Sequence, residues 1–153
     1  MKNTARTDLL VISASNGENL KLAERFAQQA RALGQTAEVL DLTEIDLPLF
    51  TPRSQAQGMP RAVEPVQQQL MTATRWVICA PEYNGSIPPS LSNAIAWLSV
   101  TGEDFRVLFN GRPIAMATFS GGGGMELLLS CLLYTSDAAD EGLGVDLGGR
   151  RII

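Results

Sequence analysis

The stretch from Trp76 to Leu98 constrains the fold of this 153-residue chain more than any other. Trp76-Val77-Ile78-Cys79-Ala80 is an uninterrupted apolar run and reads as a buried strand. A polar loop follows, Pro81-Glu82-Tyr83-Asn84-Gly85-Ser86, and then Pro88 and Pro89, which suit a first helical turn because proline's missing N–H would be unpaired there anyway. Leu91, Ala94, Ile95 and Leu98 fall at helical spacing, giving that helix one apolar face. In an α/β sheet a ligand belongs in such a place, outside the carboxyl end of a strand and beside the switch in strand order.

The rest of the chain repeats the pattern. Leu9-Leu10-Val11-Ile12 reads as a central strand, followed by the small polar loop Ser13 to Asn19. Leu20, Ala23, Phe26, Ala27, Ala30 and Leu33 then make an amphipathic helix that Gly34 stops. Ala37 to Leu42 is a second strand, closed off by Asp46 to Phe50. Thr51 to Pro60 holds Pro, Gln, Ser and Gly without apolar period and reads as a surface loop. A helix from about Ala62 to Ala73 carries Val63, Val66, Leu70 and Met71, and leads to the third strand, Trp76 to Ala80. Thr101 to Phe105 is a loop, Pro113 to Thr118 a fourth strand, and Ser120 to Gly124 a glycine loop before Met125 to Leu129. Alternating strands and helices predict one domain over residues 1–130, a doubly wound parallel sheet with helices on both faces.

Composition narrows the function classes. With 45% hydrophobic and 18% charged residues, the chain has the make-up of a soluble globular protein. A net charge of −4 without a Lys/Arg cluster argues against nucleic acid as partner. No apolar run is long enough to span a bilayer, and the N-terminal residues lack a signal-peptide core, which points to the cytoplasm. Cys79 and Cys131 have neither disulfide-framework nor metal spacing, and the absence of His removes His-dependent triads and most zinc sites.

In a parallel sheet all strands end on the same edge, so the loops 13–19, 81–87 and 120–124 converge. The first joins a strand to a helix N-terminus through hydroxyl and amide side chains, a setting where N–H groups and the helix dipole favour a phosphate. Lacking the Walker Lys and the three-glycine dinucleotide pattern, it suits a single terminal phosphate. The second offers Tyr83 for ring contact, Asn84 and Ser86 for hydrogen bonds, and Gly85 for close backbone approach. The third, with four successive glycines at 121–124, leaves room for something flat and offers bare N–H groups. A flat aromatic ligand with one phosphate is FMN. No side chain stands out as a catalytic acid or base, and Glu82 reads as a solvated rim carboxylate.

Pro81-Glu82-Tyr83-Asn84-Gly85-Ser86 followed by Leu91-Ser92-Asn93-Ala94-Ile95-Ala96-Trp97 resembles the signature of the NADPH-dependent FMN reductase family. The similarity runs from about Leu9 to Leu129. It is weaker at Ser13 to Asn19, where many members carry a longer loop with an Arg. The usual Lys before Asn93 is Ser92 here, and the usual acidic residue before Trp97 is Ala96. The resemblance implies a flavodoxin-like sheet in the order 2-1-3-4-5, with FMN and NAD(P)H as cofactors. It also implies hydride transfer from nicotinamide to flavin and on to a small acceptor (a quinone, flavin, azo compound or metal oxyanion), in a homodimer or homotetramer. Ser13, Ser15, Asn16, Asn19 and Leu20 would then hold the phosphate. Pro81, Glu82, Tyr83, Asn84, Gly85 and Ser86 would frame the ring, with Ser120, Gly121, Gly122 and Gly123 at its other edge. The alternative is an FMN-binding electron carrier or redox-sensing module without turnover of its own.

A fold of this family needs a fifth strand and a last helix, and residues 131–153 do not read as either. Apolar helical spacing is lost, and Gly142, Gly144, Gly148 and Gly149 crowd the place of a strand. Cys131 to Ser136 can be encoded TGT CTC TTA TAC ACA TCT, which resembles the transposase end of a sequencing-library adapter, and Val145 to Ile153 fits the distal part of the same adapter in the same frame. The expectation is a domain truncated after about Leu129 and a non-native tail over 131–153.

Overall fold

The computed structural model describes residues 6–104 and 106–130. Four parallel strands form one sheet in the order β2-β1-β3-β4, the flavodoxin-like arrangement expected. They are β1 (Leu9–Ser13), β2 (Ala37–Asp41), β3 (Trp76–Cys79) and β4 (Ile114–Ala117). In register, Val11 lies between Val39 of β2 and Val77 of β3, and Ser13 lies opposite Cys79. The chain leaves β1 toward β2, then crosses back over β1 to reach β3. The switch in strand order therefore falls at the carboxyl ends of β1 and β3.

Strand alternation sends successive side chains to opposite faces, and the two faces are packed differently. On one, α1 (Glu18–Ala32) lays Ala23, Ala27 and Ala30 against Val11, Val77 and Cys79. On the other, α3 (Val63–Thr72) and α4 (Pro89–Leu98) cover Leu10, Ile12, Leu40 and Ile78 with Val66, Leu70, Leu91 and Trp97. That larger core keeps a cavity of about 50 Å³ lined by apolar side chains, among them Ile12, Ile78, Val66, Leu70 and Leu98.

The α4 residues that carry the sequence signature hold structure rather than the site. Trp97 Nε1 donates to Pro48 O at 2.7 Å, and Asn93 Nδ2 donates to the same carbonyl at 3.1 Å. Asn93 Oδ1 accepts from Phe50 N at 2.8 Å, and the Phe50 ring stands edge-on to Trp97 with centroids 5.1 Å apart. Together they fasten the segment that follows β2 onto α4.

Several expectations change in detail. Part of the expected loop 51–60 is a short helix, α2 (Pro52–Gln55), because Thr51 and Ser54 form a reciprocal capping box that apolar periodicity does not report. Another, α5 (Arg106–Phe109), precedes β4 and buries Leu108. Phe26 and Leu33 were expected on the buried face of α1 but are 39% and 81% exposed. The alanine stripe lets α1 sit close to the sheet, so the buried face is narrower than a leucine-rich one. Met71 of α3 is likewise exposed. Among the described residues, no helix is long and apolar enough to cross a membrane. The expected absence of a fifth strand and last helix, the tail 131–153 and Cys131 lie outside the described residues.

Candidate functional site

The first loop is shaped from within. Ala14 N donates to Cys79 O at 2.9 Å, carrying the β1–β3 pairing one residue past the strand. Ser90 Oγ, in the first turn of α4, donates to Ala14 O at 2.7 Å, and Ser13 Oγ donates to Ser15 O at 2.7 Å. The chain then turns into α1 at Gly17, whose N-cap position offers no side-chain acceptor. Among the described residues, nothing accepts from the N–H groups of Ser15, Asn16, Gly17, Glu18 and Asn19. A row of open donors at the positive end of a 15-residue helix is a ready anion site. Glu18 brings a carboxylate to the same turn, but Lys21 Nζ pairs with it at 2.6 Å on the exposed side.

The side chains expected to hold a phosphate are mostly committed elsewhere. The Ser13 hydroxyl proton goes to Ser15 O, and the Leu20 N–H goes to Gly17 O at 3.1 Å. Asn19 is 2% exposed; its Nδ2 donates to Phe119 O at 2.9 Å and its Oδ1 accepts from Phe119 N at 2.8 Å. What this loop turns outward is its backbone, together with half-buried Ser15 and exposed Asn16.

The second loop is a miniature hairpin. Tyr83 N donates to Ser86 O at 3.0 Å and Ser86 N donates to Tyr83 O at 2.9 Å. Between them Asn84 and Gly85 both have positive φ, 50° and 70°. This is a two-residue turn of the I′ kind, for which Asn-Gly is the preferred pair. A Cβ at Gly85 would meet no described protein atom within 4 Å, so within the protein the glycine serves the turn's backbone conformation. The turn leaves the Asn84 amide and the Ser86 hydroxyl without a hydrogen-bond partner among the described residues, and leaves Tyr83 50% exposed.

The third loop runs on from β4. Ser120 is half-buried, Gly121, Gly122 and Gly123 are exposed, and added Cβ atoms at Gly121 and Gly123 would meet open space. At Gly124 the fit is tight: φ is +66° and a Cβ would fall 2.6 Å from Thr118 Cγ2. Glu82 is not the solvated rim carboxylate expected. It is half-buried, its Oε2 accepts from Leu127 N at 3.4 Å in the helical run 125–130, and its Oε1 lies beside Gly122. A carboxylate there complements the start of that run and ties the second loop to the third.

Cys79 closes the site from below, at the end of β3 and fully buried. Burial pushes its thiol up to about 11, so it is neutral and unreactive at physiological pH. Sequence reasoning missed the ties made by Ser90 and Glu82 and the Asn19–Phe119 pair. The Asn84-Gly85 dipeptide did carry a readable signal for its turn.

An open α/β sheet whose loops gather at the β1–β3 switch, one of them an uncapped helix N-terminus, defines a flavodoxin-like binding domain. The chain matches the NADPH-dependent FMN reductase family over residues 7–133 and belongs to it. It is 38% identical over 98 residues to a quinone reductase of Escherichia coli K12, covering 61% of this chain and 50% of that protein. It is 36% identical over 89 residues to an NAD(P)H-dependent FMN reductase of Pseudomonas aeruginosa, covering 58% and 45%. The chain thus spans about half the length of the curated relatives it matches. Among solved structures, the flavoenzyme NAD(P)H:(acceptor) oxidoreductase FerB of Paracoccus denitrificans superposes with a TM-score of 0.66 at 23% identity, covering 87% of this chain and 71% of that one, and shares the fold.

Proposed function

We propose that this chain binds FMN across the three loops and serves as an NAD(P)H-dependent oxidoreductase acting on a small electron acceptor such as a quinone. The observation that carries the reading is the row of open N–H groups from Ser15 to Asn19 at the start of α1. Those donors fit the terminal phosphate of FMN: among the described residues the loop offers backbone dipoles for one anion, and Lys21, the basic side chain at that turn, is paired with Glu18.

The remaining loops fit a flat ring system. Pro81 to Ser86 frame it from one side, with the free Asn84 amide and Ser86 hydroxyl as polar partners and Tyr83 as an aromatic rim. Ser120 to Gly123 offer open space and bare backbone on the other side. FMN, when bound, supplies the hydride-accepting chemistry, and the protein binds, orients and tunes it. No described side chain in the loops is placed as a proton donor or nucleophile, and the neutral Cys79 thiol is not one. The names quinone reductase and NAD(P)H-dependent FMN reductase support quinones and flavins as acceptors; on the same reading the assembly is a homodimer or homotetramer and its setting the cytoplasm, where NAD(P)H is available.

Purified protein tests the reading. Cofactor released by heat should migrate with FMN, not FAD, and NADPH should be oxidised steadily when a quinone is added. Bound FMN without turnover would favour the electron-carrier alternative, and cofactor migrating as FAD would overturn the phosphate assignment.

A further inference from the structure

Beyond Ala117 the pairing of β4 with β3 stops, with Ala80 N donating to Ala117 O at 3.1 Å as the last rung. Among the described residues, the segment 118–123 is hydrogen-bonded to the rest of the protein through Asn19 alone. That amide reaches across 100 residues of sequence and takes both backbone groups of Phe119, donating to its carbonyl and accepting from its N–H. Only one orientation of the amide satisfies both, so its oxygen and nitrogen are fixed by the pairing. At 2% exposure the side chain has no face left for a ligand.

We propose that Asn19 is a positioning residue: its side chain sets the spacing between the phosphate end and the ring end of the flavin site and does not touch the cofactor. The inference rests on the FMN reading above. Asn19 stands on the first turn of α1, where its own N–H belongs to the open row, while its side chain holds the start of the glycine loop. One residue thus belongs to two loops, through backbone in one and side chain in the other. Losing the pair frees the third loop to drift from the first, and a ligand that needs both then binds to a site no longer held at its span.

Riboflavin separates this role from phosphate contact, because it has the ring and lacks the phosphate. Dissociation constants for FMN and riboflavin are measured by flavin fluorescence on wild type, Asn19→Ala and Asn19→Gln, with a thermal melt of each. Asn19→Gln keeps an uncharged amide with both a donor and an acceptor for Phe119, one methylene further out, so it guards against a variant that does not fold without bringing charge to the phosphate end. The expected result is that Asn19→Ala weakens FMN and riboflavin by the same factor, about tenfold, with Asn19→Gln intermediate and the ratio of the two constants unchanged. A shift of the bound flavin's absorbance bands should accompany it, since the ring edge is what moves. Weakening of FMN alone, so that the two affinities converge, would make Asn19 a phosphate ligand and overturn the proposal. Unchanged affinities with a lowered melting temperature would reduce it to a structural residue and overturn it too. Wild-type protein that binds neither flavin would instead refute the FMN reading itself, and this inference with it.

Discussion

Loops 13–19 and 81–86 sit side by side at the carboxyl ends of β1 and β3, yet they present opposite chemistry. In the first, side chains turn inward: Ser13 holds Ser15, Asn19 holds Phe119, and the open groups are backbone N–H. In the second, the backbone closes on itself through the Tyr83–Ser86 pair, and the open groups are side chains, Asn84 and Ser86. A backbone row at a helix terminus suits a compact anion of fixed charge. Side chains on a rigid two-residue turn suit a shaped, polar-edged ring. The difference teaches that mutating polar residues in the two loops should have different consequences: in the first the frame of the site gives way and stability falls along with affinity, in the second affinity falls alone.

The largest effect should come from Asn84→Ala with Ser86→Ala. Each removes a ligand partner worth on the order of 1 kcal/mol, so together they should weaken FMN binding roughly thirtyfold while the melting temperature stays within a degree or two. An unchanged dissociation constant would mean that the second loop frames nothing. Gly85→Ala comes next, because its φ of 70° costs an L-residue about 1–2 kcal/mol. It should lower stability and loosen the turn, and a variant as stable as wild type by denaturant titration would contradict the turn's role. Ser90→Ala removes the donor to Ala14 O and should cost about 1 kcal/mol of stability, with a smaller change in flavin affinity. A large loss of affinity without loss of stability would reverse the contrast between the loops.

Two titrations test the same frame from below. Cys79 is held at about 11 when folded against an ordinary value of 9.0. Between these values the unfolded chain has lost its thiol proton and the native one retains it, so stability should fall as pH rises through that window. Cys79→Ser should flatten this slope, and a native thiol alkylated rapidly at pH 8 would contradict the buried, neutral assignment. The smallest effect lies at the opposite edge of the sheet. Thr36 N and Thr36 Oγ1 donate to Asp8 and hold its carboxyl below the usual carboxylate range. Its stabilisation is present above the ordinary value near 3.8 and is lost as pH falls through the depressed folded one. Asp8→Asn should remove a slight acid sensitivity and leave flavin affinity untouched.

The parts of this molecule that were legible in the sequence are those whose signal is local. The runs at 9–12 and 76–80 are apolar throughout because β1 and β3 are covered on both faces, and their positions give the sheet and its switch point. Three loops at one edge then follow from parallel pairing. Local polar chemistry was less visible: Thr51 and Ser54 make α2 by capping, with no buried residue to show in an apolar pattern. Phe26 and Leu33 read as core because they fit a helical stripe, but alanines carry that contact. The Asn19–Phe119 pair spans 100 residues and has no local signature. The resemblance points Ser13, Asn19 and Leu20 at the phosphate without showing these internal ties: the Ser13 and Asn19 side chains and the Leu20 N–H are engaged within the protein, while the Asn19 N–H stays in the open row.

The central claim is that the first loop binds one phosphate through its backbone. The most direct measurement is the affinity of wild-type protein for FMN and for riboflavin, with and without excess inorganic phosphate. Charge-assisted hydrogen bonds contribute about 1.5–3 kcal/mol, so FMN should bind at least about tenfold more tightly than riboflavin. Inorganic phosphate should weaken FMN and leave riboflavin unaffected. Equal affinities for the two flavins, indifferent to phosphate, would contradict the account.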